Sequence, residues 1–262
     1  MEIIVCVKPV LDPDLPQAKF NIDPKKNIVI PPEGVPPVMN PYDALAVEAA
    51  LRLKEKHGGK ITAITLGDAS GEDILRKALA MGADEAIRIN ADALDQSDGF
   101  AKAYLLSQAA RKIGGYDLIL CGRQAADWDL GVTGSMMAEY LGASVLTRAK
   151  KINAADGKLT VERISANGNE TYEVDLPAVI SISSEFGQAR IPSGWGIISA
   201  AKKPISQWAK DDLGYDVVKV SGRNVLLKLS ASSNERTCEF VKGENTVEAA
   251  IRLAEIIADM GK

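Results

Sequence analysis

Short apolar runs and longer stretches of helical period alternate along the first 142 residues. "EIIVCVK" (2–8), "KITAITLG" (60–67), "EAIRIN" (85–90) and "DLILCG" (117–122) are rich in Ile, Val and Leu, as expected of parallel strands covered on both faces. Between them Ala46, Val47, Ala50 and Leu53 share one face of a helix over 42–57, and Ile74, Leu75, Ala78 and Leu79 share one over 71–81. This βαβ alternation predicts an α/β fold built on a doubly wound, mostly parallel sheet. Helix ends carry their own chemistry. Asn40-Pro41-Tyr42-Asp43 supplies an N-cap residue, a proline at the first helical position and a carboxylate at the third, and Ser70 with Asp73 repeats that logic. Gly82 and the pair Gly114-Gly115 are placed to close two helices. "MMAEYLG" (136–142) reads as a further helix.

Two regions depart from the alternation. Residues 9–39 are dense in proline and too long for a routine βα connection. Proline removes backbone donors and fixes φ, so only edge-like or extended structure is expected there, with "NIVI" (27–30) as the short strand. After residue 142, "SVLTRAKKI", "KLTVERIS" and "ETYEVDL" are separated by the turn sequences "NAADG" and "ANGN", and "AVISIS" follows Pro177. These predict antiparallel additions to the same sheet or a flap beside it. Periodicity is lost over 184–216 and returns over 245–260, where Asn245 caps a helix with Glu248 at its third position and Val247, Ala250, Ile251, Ala254 and Ile257 form one stripe. The expected division is an α/β domain over 1–205, with a protruding loop near 184–203, and a C-terminal extension over 206–262 that carries the amphipathic helix.

Composition narrows the function. The 262 residues are 46% hydrophobic and 25% charged, ordinary for a globular chain. A net charge of −4 and a pI near 5.3 give no general attraction for nucleic acid or an anionic membrane surface. No apolar run approaches the roughly 18 residues needed to span a bilayer. "MEIIVCVK" lacks a basic leader and a small-residue cleavage site, so a cytoplasmic protein is expected. Cys6, Cys121 and Cys238 are far apart and outside any CxxC spacing, which points to neither a disulfide framework nor a zinc site. The one histidine, His57, falls in the last turn of a helix before Gly58-Gly59, where a partly cationic ring suits the helix C-terminus. Neither GxxxxGK[ST] nor HExxH is present, and no GxGxxG follows a strand. The chain shows no catalytic constellation.

What remains is "CGRQAADWDLGVTGS" (121–135), at the point where a strand gives way to a helix. In a doubly wound sheet ligands sit beyond the carboxyl ends of the strands where the strand order reverses. With the order 3-2-1-4, residues 6–8 and 121–124 face each other across that crevice. Gly122 would let a ligand approach the backbone, while Gly131 and Gly134 flank a helix start whose free N–H groups and dipole suit a phosphate. Thr133 and Ser135 add hydroxyls. Gln124 can pair with a base edge, and Asp127 and Asp129 can accept from ribose hydroxyls or brace the loop. Plain turn chemistry uses the same residues, and Asn40 to Asp43 can be a cap and nothing more, so nucleotide pocket and structural turn both stay open.

"VCVKPVLD", "MNPYDALAVEAALRLKE", "TLG", "ALAMGADEAIRI" and "LILCGRQAADWDLGVTG", in this order and spacing, closely resemble the β subunit of electron-transfer flavoproteins, from residue 1 to about residue 205. The resemblance implies a heterodimer with an α subunit that holds the redox FAD, and an adenine nucleotide in the β subunit: AMP, or in electron-bifurcating members a second FAD. It implies nucleotide contacts at Cys6, at Asn40, Pro41, Tyr42 and Asp43, at Leu66, and along Gly122, Arg123, Gln124, Ala125, Ala126, Asp127, Trp128, Asp129, Leu130, Gly131, Val132 and Thr133. Many bifurcating members have a small residue where this chain has Trp128, which leans the reading to AMP. The family also docks on dehydrogenases through a loop leucine; the matching segment "ARIPSGWGIISAAKK" (189–203) has Gly194 at that position and Trp195 beside it, an aromatic able either to anchor a partner or to pack back on its own domain. The resemblance implies an electron carrier with no catalytic residues of its own, a dehydrogenase or other redox protein as partner, and a C-terminal part wrapped on the α subunit. A stand-alone adenine-nucleotide sensor of similar fold is the alternative, and it leaves 142–262 without a task.

Overall fold

The computed structural model describes residues 1–16, 19–90, 98–155, 157–214, 224, 226–230 and 238–260. They fall into two compact units, Met1–Leu229 and Ser230–Lys262. In the first unit the strands in chain order are β1 (Glu2–Cys6), β2 (Pro9–Val10), β3 (Asn21–Asp23), β4 (Ile28–Ile30), β5 (Val38–Met39), β6 (Lys60–Leu66), β7 (Glu85–Asn90), β8 (Leu118–Gly122), β9 (Ser144–Ala155), β10 (Lys158–Ser165), β11 (Gly168–Asp175), β12 (Ala178–Ile182) and β13 (Ser206–Ala209). Its helices are α1 (Pro41–His57), α2 (Gly71–Met81), α3 (Gly99–Ile113), α4 (Thr133–Leu141) and α5 (Gly194–Lys202).

Nine strands form one sheet in the order β11-β10-β9-β12-β8-β1-β6-β7-β13. β1 lies between β6 and β8 and pairs parallel with both, so the first four strands of the alternation take the expected 3-2-1-4 order. The sheet is mixed: β9, β10 and β11 pair antiparallel, and the other neighbours pair parallel. Ile3 and Val5 of β1 pack into the layer that holds α1 and α2, and Ile4 and Cys6 into the layer that holds α3 and α4. Burial on both faces explains why this strand is apolar at consecutive positions. Each such side chain contributes about 1.5–3 kcal/mol by leaving water.

Several boundaries differ from expectation for physical reasons. "AVISIS", expected as an antiparallel addition, becomes β12, inserted parallel between β8 and β9. All five of its residues are buried, which marks a central strand and not an edge. The stretch 184–216, without periodicity in the sequence, contains α5 and β13; α5 opens Gly-Trp-Gly and buries only Ala200, so it has no apolar stripe to read. The proline-rich excursion holds β4 as expected, paired antiparallel with β3, and its base is closed by β2 against β5. Ser70 precedes α2 but makes no capping bond, because its hydroxyl donates back to Asp68 Oδ1.

The second unit contains the helix Thr246–Met260. Asn245 Oδ1 accepts from the N–H groups of Val247 and Glu248, both at 3.0 Å, as its cap position requires. Val247, Ile251 and Ile257 on its apolar stripe are exposed. No helix among the described residues is long and apolar enough to cross a membrane.

Candidate functional site

Pairing of β1 with β8 runs in register from Ile3 opposite Leu118 to Val5 opposite Leu120. Past that point the two strands part. Val7 N–H donates to Ile64 O of β6 at 2.9 Å, and Arg123 N–H donates to Ile182 O of β12 at 2.8 Å. Between the parted ends opens a cleft of about 890 Å³, the open space at its mouth included. Its floor carries Cys6 and Cys121, its walls Leu66, Leu106, Trp128 and Leu130, and its rim Lys8, Lys102, Arg123 and Thr133.

The first turn of α1 closes the divergence. Asn40 occupies the N-cap position but makes no side-chain cap bond. Its Nδ2 donates instead to Gln124 O at 2.8 Å, and its Oδ1 accepts from Ala126 N–H at 3.2 Å. Asp43, 6% exposed, accepts from Lys8 N–H on Oδ2 at 2.8 Å and from Gly122 N–H on Oδ1 at 3.1 Å. Burial pushes its pKa up to about 7, against the lowering effect of hydrogen bonds from Asn40, Lys8 and Gly122 and of the Lys8 charge. Gly122 serves this packing: a Cβ there would lie 2.7 Å from Tyr42 Cβ and closer still to Asp43 Oδ1. Its missing side chain admits the first turn of α1.

The loop from β8 to α4 is braced by its own polar groups. Gln124 uses both ends of its amide, Nε2 donating to Asp129 Oδ1 at 2.8 Å and Oε1 accepting from Arg123 Nε at 2.9 Å. Asp127 pairs with Lys8 Nζ at 2.5 Å, tying the loop to the end of β1. Asp129 and Gly131 take φ of 50° and 64°, the left-handed turns that swing the chain into α4. Val132 is the N-cap of α4 and offers no side-chain acceptor, so no side-chain cap takes up the leading N–H groups of that helix, whose first residue, Thr133, lines the cleft. Gly134 allows α4 to sit down on β8, since a Cβ would come within 2.6 Å of Cys121 Sγ. An uncapped helix start, three cations on the rim and apolar walls fit a planar ligand that carries phosphate.

Of the residues singled out from the sequence, Cys6, Asn40, Asp43, Leu66, Gly122 to Ala125, Trp128, Leu130, Gly131 and Thr133 line the cleft. Pro41, Tyr42, Ala126, Asp127, Asp129 and Val132 stand behind that lining, in the first turn of α1 and in the loop. Val7, Lys8 and Cys121 line it as well, at the strand ends 6–8 and 121–124 that the expected strand order brings face to face. Sequence reasoning missed Gly99, Lys102 and Leu106, because the approach of α3 is written in no local pattern. The thiols supply no nucleophile: burial first, then Cys121 and Asp43, pushes Cys6 well up, and burial with Asp43 pushes Cys121 up to about 12.

Gly194 and Trp195 begin α5 and are not part of the cleft lining. Trp195 is 79% exposed and Ile191 90%, so the indole does not pack back on its domain. The base beneath it is fixed: Arg76 Nη1 donates to Ala200 O and Lys203 O, both at 2.6 Å, and Arg190 Nε donates to Glu48 Oε2 at 2.7 Å.

Fold and cleft together define a doubly wound α/β protein with an open site at the reversal of strand order. The family profile described as "Electron transfer flavoprotein domain" matches residues 28–213. The chain is 39% identical over 259 residues to an "Electron transfer flavoprotein subunit beta" of Thermoanaerobacterium thermosaccharolyticum, covering 97% of both chains. It is 39% identical over 215 residues to the "Caffeyl-CoA reductase-Etf complex subunit CarD" of Acetobacterium woodii, covering 82% of this chain and 80% of that one. It is 33% identical over 268 residues to a "Protein FixA" of Azorhizobium caulinodans, with 98% and 94% covered. The chain belongs to the electron transfer flavoprotein family, on its β-subunit side. Flavin-linked electron transport is the work of that family.

Proposed function

We propose that the chain is the β half of a heterodimeric electron-transfer flavoprotein, and that the cleft between the ends of β1 and β8 holds an adenine nucleotide. The observation that carries the reading is the uncapped start of α4 opening onto that cleft beside Thr133. The N–H groups there hold the phosphate, Arg123 and Lys8 add positive charge, and Leu66, Leu106, Leu130 and Trp128 exclude water from the ring. Asn40 and Asp43 keep the walls in place without spending their polar atoms on the ligand. FAD, when bound between the subunits, supplies the electron chemistry; this chain supplies position and electrostatics. The exposed Trp195 and Ile191 present a docking surface for a dehydrogenase or other redox protein, and the exposed stripe of the helix Thr246–Met260 is the surface offered to the α subunit.

The test is a count. Co-expressed with an electron-transfer flavoprotein α subunit and purified, the chain is expected in a yellow heterodimer that releases, on acid treatment, one FAD and one further adenine nucleotide. AMP as the second species makes the cleft a structural site; a second FAD makes it a redox site. One FAD and no second nucleotide would overturn the assignment of the cleft. A colourless, self-associated product would favour the stand-alone sensor.

A further inference from the structure

We infer that Asp43 is a positioning residue, a latch whose two carboxylate oxygens hold the ends of β1 and β8 at the spacing the nucleotide cleft needs. The inference rests on the nucleotide reading of the cleft given above. Beyond Val5 and Leu120 the backbone of β1 bonds away toward β6 and that of β8 toward β12. Sheet pairing therefore no longer ties the two ends where the cleft begins. Asp43 does so: Oδ2 accepts from Lys8 N–H at 2.8 Å and Oδ1 from Gly122 N–H at 3.1 Å. Lys8 and Gly122 are themselves cleft-lining residues, one on each wall.

A carboxylate suits this position because both partners are donors. An ionised group accepts on each oxygen, whereas a protonated one turns an O–H toward an N–H and gives up one of the two bonds. The groups that face Asp43 are the Lys8 ammonium and Cys6 thiol from the β1 side, Cys121 from β8 and the Asn40 side chain from its own helix start; Asp127 in turn draws on Lys8. Lys8 is the one cation that acts on Asp43 from this set, and burial outweighs it, so the carboxyl titrates at about 7. Near neutral pH the latch passes from two bonds to one, and nucleotide affinity should weaken on acidification.

The experiment is calorimetric titration of AMP into the heterodimer after it has been freed of adenine nucleotide, at about pH 8 and about pH 6, for the wild type and Asp43→Asn. Asparagine keeps the size and one acceptor but does not titrate. At the higher pH the variant should bind roughly tenfold more weakly, the size of one lost hydrogen bond. Acidification should weaken the wild type markedly more than the variant, since the second ionisation of the phosphate, near pH 6, acts on both alike. Parallel pH profiles for the two proteins would overturn the latch. Failure of the wild type to take up AMP at the higher pH would overturn the nucleotide reading itself, and the inference with it. Should the variant not fold, the wild type decides alone with adenosine, which carries no phosphate: equal affinity at both pH values sinks the inference, and weaker binding at the lower pH supports it.

Discussion

Gly122 lines the cleft, and what its missing side chain makes room for is the first turn of α1. From the sequence it reads as a gap for a ligand, yet its open side faces the protein: an added Cβ would meet Tyr42 Cβ at 2.7 Å, the Tyr42 backbone carbon at 2.8 Å and, nearest of all, Asp43 Oδ1. None of these is the free end of a flexible chain, since Tyr42 and Asp43 sit in the first turn of α1 and Asp43 is bonded on both oxygens. Gly122→Ala should therefore cost about 1–3 kcal/mol through overpacking. Gly194 is the control. Nothing lies within 4 Å of its hypothetical Cβ and its backbone is not left-handed, so Gly194→Ala should change stability by less than about 0.5 kcal/mol. Urea unfolding of the two variants checks the pair, and equal losses would remove the steric account of Gly122.

At the scale of elements, α1 carries two separate duties. Its first turn latches the cleft, while Glu48, 4% exposed and mid-helix, accepts from Arg52 Nε at 2.7 Å and from the Nε and backbone N–H of Arg190 at 2.7 and 3.2 Å. Arg190 also reaches Glu55, so the segment leading into α5 is pinned along the helix. Burial alone would raise the Glu48 pKa, but the hydrogen bonds from Arg190 and Arg52 outweigh it and hold the carboxyl below its usual range. The pin therefore contributes fully at neutral pH and is lost only as pH falls through that depressed value. Glu48→Ala takes from Arg52 and Arg190 the carboxylate they share, leaving Arg190 with Glu55, and should destabilise by about 1–3 kcal/mol. Hydrogen exchange should quicken over 187–193 while 122–133 is unchanged; a uniform increase along the chain would contradict a local pin. The sequence made β1, β6, β7, β8, α1 and α2 legible, the strands as short apolar runs and the helices through apolar positions that share a face. It hid α5, which opens with two glycines and buries one residue, and the direction of β12, which depends on a crossover that no local pattern encodes. The cleft was legible as a place because strand order fixes which ends meet. The roles of Asn40 and Gln124 were not, since Asn40 finds its partners 84 and 86 positions along the chain and local reading sees only a cap.

For the whole molecule, a buried carboxylate at the junction of two walls sets function against stability. With its pKa raised from 3.8 to about 7, Asp43 in the folded protein holds a proton between those values that the unfolded chain has already released. The folded state binds more protons there, so stability from this group grows as pH falls through about 7 toward the unfolded value and is lost again as pH rises. The latch runs the other way, being complete only when the carboxyl is ionised. Acidification from about pH 8 to about pH 6 should thus make the fold more resistant to denaturant, relative to Asp43→Asn, while loosening its grip on nucleotide. One proton bounds the slope at about 1.4 kcal/mol per pH unit. Unfolding by urea across that interval, taken as the difference between wild type and variant, should rise toward acid. A flat difference would mean that Asp43 is not ionised and buried together above neutrality, and a difference that falls toward acid would mean that its two backbone bonds outweigh desolvation. Glu48, which the arginines hold below its usual range, cannot imitate the expected sign.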